Sequence, residues 1–378
     1  MAGREKYLKD LNRIVVKIGS SSLTTPDNNI DVENMEKFCL EVSGLVNHGI
    51  QVIVVTSGAI AAGLQYLNIK GRPGQISKLQ AAASVGQVEL MRIYRDYMAR
   101  KNIKVGQILL THEDTTGREQ YLNIRATINT LLDMNIIPVI NENDSVAVDE
   151  IKFGDNDQLA ALVASLTESG LLVLLSDIDG LYDKHPGRHK DARIISTVEK
   201  ITPEIEELAG GAGSIYGLGG MVSKIKAAKI CNFSNVGMVI ANSRKPRVLK
   251  DIIEGKQVGT FFVPGRQKRV KSVKRWIAFG MRTKGSIVID QGAREAITNQ
   301  GKSLLPVGVV EVRGRFNQGD TLRVYSDDGQ LIAKGISNFS DKQLKDIMGK
   351  NHQQISTEFG SELCGEIVHR DCLAVFKS

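Results

Sequence analysis

Between positions 140 and 157 the chain reads INENDSVAVDEIKFGDND, which gathers Asn141, Glu142, Asn143, Asp144, Asp155, Asn156 and Asp157 around a few apolar residues. The stretch follows the apolar run Ile136–Ile140. A strand running into such a cluster ends where side chains converge beyond a sheet edge, a usual position for a ligand. Carboxylates alone repel an anion, so the pattern fits an ammonium-bearing ligand, a metal, or lysines brought in from elsewhere in the chain. Two lysines are suitably placed. Lys17 lies near the carboxyl end of IVVKI and precedes GSSS, where glycine allows close backbone approach and turn N–H groups suit phosphate oxygens. Lys224 lies about one turn into a helical pattern that follows a segment with six glycines between 210 and 224. A mobile linker would share that glycine content.

Two further blocks carry polar residues at strand ends. In VVTSGAIAAG, Ser57-Gly58 opens a short apolar helix, whose first amides suit a carboxylate or phosphate. Ser57 serves equally well there as an ordinary N-cap. In LLSDIDGLYDKHP, Ser176-Asp177 closes a strand at the end where nucleotides bind in open α/β sheets, and His185 reads as a loop residue. From the polar cluster, Asp144, Asn156 and Asp157 are assigned to the pocket, whereas Glu142 and Asp155 fit helix caps or ion pairs. The chain has no GxxxxGK[ST], DFG or HExxH and no paired His/Cys set, and its HRD at 369–371 lacks the Asn that follows it in a kinase catalytic loop. P-loop and protein-kinase machinery and a zinc site are thereby excluded, and no metal ligands are assigned.

These residues must be positioned by elements legible in the hydrophobic pattern. Residues 14–18, 51–56, 105–110, 136–140, 171–176 and 236–240 read as buried parallel strands. Helical spacing in Val32–Val46, Ile76–Met98 and Leu159–Leu166 alternates with them, which predicts an α/β sheet covered on both faces. After Arg275 come short strands at 286–289, 308–312, 321–325, 331–336, 366–368 and 373–376, with turns such as NQGD and DDGQ and room for one or two helices. That texture predicts a small, mostly β domain with a barrel-like sheet. The expected division is 1–265, a basic linker at 266–275, and 276–378.

Composition agrees with a soluble globular protein: 378 residues, 42% hydrophobic and 24% charged. No apolar run approaches the ~20 residues of a membrane helix, and MAGREKYLKDLNR lacks the apolar core of a signal peptide. The four cysteines are scattered, as free thiols in a reducing cytoplasm would be. Of the net charge of +7, six units come from RQKRVKSVKR at 266–275, so the excess marks one tether rather than a basic face. The region after it holds 13 basic and 12 acidic residues, which weakens the electrostatic case for RNA binding.

In this order, VVKIGSSSLT, VTSGAIAAG, INENDSV, GDNDQLAALVA, SDIDGLY and GLGGMVSK make the chain similar to the amino acid kinase family. The closest resemblance is to members that act on glutamate and carry a C-terminal PUA domain, and it covers nearly the whole chain. It implies a three-layer α/β/α kinase domain with a mainly parallel sheet, followed by a PUA-like domain. It further implies that Lys17 and Lys224 contact the transferring phosphoryl group and that Asp157 holds both lysines. Ser57, Asp144 and Asn156 would contact L-glutamate. Lys17, Ser176, Asp177, Leu218, Gly219, Gly220, Met221, Val222, Ser223 and Lys224 would bind ATP. Ser223 stands where the family more often shows threonine, and the hydroxyl is kept. The implied reaction uses ATP and Mg²⁺ to phosphorylate the γ-carboxylate of glutamate, the first step of proline biosynthesis. Proline feedback, a homo-oligomer and a partnership with the following reductase come with the same resemblance. The rivals are a family phosphotransferase for N-acetylglutamate, aspartate, UMP or carbamate, and an RNA-binding role for the C-terminal domain.

Overall fold

In a computed structural model of the chain, the β-branched runs assemble into one eight-stranded sheet of order β3-β4-β2-β1-β5-β7-β8-β6. The structure describes residues 4–27, 29–111, 114, 117–146, 156–184, 186–187, 189–210, 220–265, 272–360 and 363–376. The strands are β1 (Arg13–Ile18), β2 (Gln51–Val55), β3 (Lys104–Leu110), β4 (Ile136–Glu142), β5 (Leu171–Ser176), β6 (Thr197–Val198), β7 (Gly237–Asn242) and β8 (Thr260–Phe262). All neighbours pair in parallel except β7 and β8. Central strands such as β5 are buried along their whole length, which is why they read as continuous apolar runs rather than as alternation. The edge strand β3 is mostly exposed or half-buried and alternates only from Gln107 to Leu110.

Helices cover both faces. On one, Val32–Asn47 and Ile76–Ala99 bring Met35, Phe38, Val42, Leu90, Tyr94 and Met98 against Ile14, Val16, Ile18, Val52 and Val54. On the other, Asn156–Leu166 packs on β1 and β5, and Gly220–Phe233 packs on that helix and on β7. Strand order runs outward from β1 in both directions, toward β2 and β4 on one side and β5 and β7 on the other. The crevice of an open α/β sheet lies at such a reversal, outside the strand carboxyl ends. The two short strands β6 and β8 were not anticipated. Runs of two and three residues are too short for a periodic signal, and the antiparallel β7–β8 pair follows from the brief Val248–Ile253 helix between them.

The chain divides into two units, residues 1–114 with 122–269 and residues 115–121 with 270–378. The second contains a five-stranded sheet of order β10-β9-β11-β12-β13, made of β9 (Thr283–Ile289), β10 (Val309–Gly314), β11 (Thr321–Ser326), β12 (Leu331–Ile336) and β13 (Leu373–Val375). Its helices exceed the one or two expected: Gln291–Thr298, Asp341–Ile347 and His352–Phe359. Each is only seven or eight residues long and buries one or two apolar side chains. Capping boxes, Ser340 with Gln343 and Asn351 with Gln354, define the starts of the latter two. The expected strand at 366–368 is an isolated bridge from Val368 to Leu304. The basic run is also not a tether throughout: Ser272–Arg275 is helical and Arg275 is buried, while residues 266–271 lie outside the described part.

Lys334 on β12 is a half-buried cation in this unit. Its ammonium donates to the carbonyls of Ala278 at 3.2 Å and Met281 at 2.6 Å, and Arg323 stands opposite it in register on β11. Burial, and after it the charge of Arg323, pull its pKa from 10.5 down to about 8. Between those values the unfolded chain holds the proton that the folded unit has released, so stability rises with pH across that window. Below it the full penalty of the buried charge applies. The melting temperature of the native chain relative to Lys334→Met is expected to climb between pH 8 and 10.5. Fluorescence of Trp276, the single tryptophan, reads this unit. A difference that stays constant over that range would refute the assignment.

Candidate active site

Three residues distant in sequence meet at the carboxyl end of β1. Asp157, in the first turn of the Asn156–Leu166 helix, is 3% exposed. Its Oδ1 lies 2.7 Å from Lys17 Nζ, and its Oδ2 lies 3.0 Å from Lys224 Nζ. Both lysines are themselves buried. Ser223 adds a third donor, its hydroxyl 2.7 Å from Oδ2. Burial alone would raise the pKa of the Asp157 carboxyl. The two ammonium groups, Lys17 first and Lys224 second, overcome that and hold it well below the usual carboxylate range. The carboxylate thus stays charged at all pH values above its unfolded pKa, and its contribution to stability is lost only as pH falls into the strongly acid range.

Local sequence explains the approach of the lysines. Gly19 follows β1, and its amide donates to the Leu175 carbonyl at 3.2 Å, tying the turn to β5. A Cβ at Gly19 would sit 3.3 Å from Lys17 Nζ, crowding the ammonium that reaches Asp157. Lys224 projects from the first turns of Gly220–Phe233 and also donates to the Gly220 carbonyl at 3.3 Å. Asp157 at a helix start faces the positive end of that helix's dipole, which further suits an anion.

Beside the triad lies a polar group built from β2, β4 and the same helix. The two protons of Asn156 Nδ2 serve three acceptors, the Thr56 carbonyl (2.9 Å), Ser57 Oγ (2.8 Å) and Asn141 Oδ1 (3.2 Å), so one proton is shared between two of them. Ser57 is not an N-cap. Gly58 occupies that position with φ of 97°, a left-handed conformation that favours glycine, and Ser57 is left to face Asn156. The Thr56 hydroxyl shares a hydrogen bond with the buried Tyr94 hydroxyl at 2.8 Å.

A cleft of about 1410 Å³ joins these groups. Its lining includes Lys17, Ser57, Asp144, Asn156, Asp157, Ser176, Asp177, Gly220, Met221, Ser223 and Lys224. Val222 is not among the lining residues, and Leu218 and Gly219 lie outside the described residues, as do Asp155 and His185. Glu142, weighted below Asp144 from sequence, is buried at the end of β4 and also lines the cleft. Lys70 and Arg72, on the loop after the Ala59–Tyr66 helix, line it too and carry no motif that would mark them. Gln87, which bonds Asn141, was missed as well. Its available signal was a lone amide within the buried stripe Leu79, Ala83, Leu90, Tyr94 and Met98 of its helix.

Removing the charge of Asp157 while keeping its shape leaves two buried ammonium groups without a counter-ion. Asp157→Asn is therefore expected to lower unfolding stability by about 3–5 kcal/mol. Urea denaturation followed by far-UV circular dichroism measures this. An unchanged midpoint would mean that the triad does not carry the electrostatic weight assigned to it.

Two family patterns match the chain. The pattern of the amino acid kinase family matches residues 12–242, and that of the PUA domain matches residues 285–359. A glutamate 5-kinase of Syntrophotalea carbinolica is 43% identical over 374 residues, covering 99% of this chain and 100% of that protein. One from Geobacter sulfurreducens is 46% identical, with 98% and 100% covered. A third, from Caldanaerobacter subterraneus subsp. tengcongensis, is 45% identical, with 97% and 98% covered. This chain belongs to the amino acid kinase family, within its group of glutamate 5-kinases, and carries a PUA domain.

Proposed function

We propose that the chain transfers the γ-phosphoryl group of ATP to the γ-carboxylate of L-glutamate, giving γ-glutamyl phosphate and ADP. The observation that carries this reading is the pair of buried lysines held on the two oxygens of Asp157 inside the cleft. An oxygen of the γ-carboxylate attacks the γ-phosphorus in line while the bond to the ADP oxygen breaks. A glutamate carboxyl, with an ordinary pKa of about 4.3, is already ionised at neutral pH. No proton has to be removed from the nucleophile, so a catalytic histidine is not required.

The obstacle is repulsion between two anions. Two unit charges 4 Å apart interact by about 4 kcal/mol at an effective dielectric near 20. An ammonium has three N–H donors. Lys17 uses one on Asp157, and Lys224 uses one there and one on the Gly220 carbonyl. The remaining donors would serve the charge that accumulates on the transferring group, in a cluster assembled before the reaction begins. Mg²⁺, bound with the triphosphate, would supply further positive charge there. Both oxygens of Asp157 are engaged by lysines, and among the described residues no set of three or more His, Cys, Asp or Glu is arranged for a metal.

Ser176, Asp177 and the start of Gly220–Phe233 form the nucleotide side, and Ser57, Asp144 and Asn156 the acceptor side, with Asp144 opposite the free α-ammonium. A free ammonium requirement favours glutamate over N-acetylglutamate. The same reading places the enzyme in the cytoplasm at the first step of proline biosynthesis, as a homo-oligomer whose labile product passes to a reductase. Among the described residues no helix is long and apolar enough to cross a membrane. Proline shares a carboxylate and an α-nitrogen with glutamate, which supports competition at the acceptor side.

Lys17→Ala and Lys224→Ala are each expected to lose roughly 10²–10³ in turnover. The assay is hydroxylamine trapping of the acyl phosphate, with and without proline. Near-native turnover in either variant would reject the assignment. Asp144→Asn should raise the KM for glutamate while that for ATP holds. Equal changes in both would show that Asp144 does not meet the ammonium.

A further inference from the structure

The amide groups beneath the acceptor side form a chain with only one permitted direction. At one end the Thr56 carbonyl, which can only accept, lies 2.9 Å from Asn156. The edge of Asn156 facing it must therefore be the NH₂. At the other end the backbone N–H of Glu142, which can only donate, lies 2.9 Å from Asn141. Asn141 must present its oxygen there, and that oxygen also receives Asn156 Nδ2 at 3.2 Å. The NH₂ of Asn141 is then turned to Gln87, whose Oε1 accepts it at 2.9 Å. Asn141 is 1% exposed and Gln87 is 7% exposed. The unused edges, Asn156 Oδ1 and Gln87 Nε2, are buried without a hydrogen-bond partner among the described residues.

The consequence falls on Ser57. Its Oγ accepts from Asn156 at 2.8 Å, so its own proton is directed elsewhere, and Ser57 lines the cleft. We propose that Gln87, which does not itself line the cleft, is a positioning residue for the acceptor side. Acting through Asn141 and Asn156, it leaves the Ser57 hydroxyl a single use, donation to a carboxylate oxygen of the substrate. Gln87 is well anchored for this task. Gly86, next to it, brings its helix into backbone contact with the Ala59–Tyr66 helix that follows Ser57. A Cβ on Gly86 would lie 1.8 Å from the Ala59 carbonyl oxygen, and one on Gly63 would lie 1.8 Å from that of Ala82. Gln87 is thus held close to the helix that follows Ser57, and the two helices cannot slide apart without losing that contact.

The inference rests on the acceptor-side reading above, and kinetics on the full chain separate the two. Gln87→Met keeps the shape and removes the acceptor, leaving the Asn141 NH₂ buried and unpaired. It is expected to raise the glutamate KM about tenfold, as loss of one buried hydrogen bond does, with the ATP KM unchanged. Ser57→Ala should do the same alone, and the double variant should be no worse than either single one. Gln87→Glu, which keeps an acceptor oxygen in place, should restore the glutamate KM to about twofold of native, within the spread expected when the bond is retained. This second variant decides the matter even if Gln87→Met fails to fold: a tenfold rise in Gln87→Glu overturns the proposal. Multiplicative effects in the double variant, or equal changes in both KM values, overturn it as well. If Ser57→Ala leaves the glutamate KM at its native value, the acceptor-side reading itself falls, and the role of Gln87 with it.

Discussion

One buried carboxylate shared between two ammonium groups is the interaction on which the rest of this molecule depends. Each charge would be unfavourable alone at such burial, and two lysines brought together without Asp157 would repel each other. With it, the cluster keeps one net positive charge inside a cleft before any phosphate arrives. Fixed charge of this kind is effective because its orientation is established during folding and not during the reaction. The Ser223 hydroxyl belongs to the same arrangement. It spends its proton on Oδ2 of Asp157, beside Lys224, and so holds the carboxylate plane against both lysines.

Bringing these three side chains together constrains the whole kinase-type unit. Lys17 ends a strand, Asp157 opens a helix, and Lys224 sits early in another helix. A parallel sheet puts every strand's carboxyl end, and so every following helix start, on the same edge. The reversal of strand order at β1 then opens the crevice beside Lys17. Glycine is required where backbone must come close. Gly58 adopts the left-handed turn that leaves Ser57 facing Asn156, and Gly63 with Gly86 lets two helices touch through their backbones.

Much of this was legible in the sequence because the signals are local. Runs such as IVVKI and LLVLLS announce buried parallel strands, and polar residues at their ends announce the cleft. What stayed hidden depends on tertiary partners. Ser223 reads as a nucleotide contact in a glycine-rich block, yet its hydroxyl is engaged by a carboxylate from another helix. Ser57 reads as a cap, and only the left-handed Gly58 beside it removes that option. Gln87 looks like an imperfection in an apolar stripe until Asn141 is placed next to it. The change of texture to short strands and turns after residue 275 is legible, but short helices that bury a single residue, such as Ile355, are not.

Asn156 and Asp157 are consecutive, and that adjacency links the two halves of the reaction. Successive residues on a helix diverge by about 100° around its axis. One therefore faces Thr56, Ser57 and Asn141 while the next faces the two lysines. Any rotation of the helix start that improved one set of contacts would spoil the other. On the proposed function, acceptor placement and phosphoryl-group placement would thus be set by a single rigid element and not adjusted separately. In-line attack is sensitive to misplacement on the scale of 1 Å. A two-residue coupling at a buried helix start, braced by hydrogen bonds on one side and ion pairs on the other, is the shortest covalent path by which the fold can hold that geometry.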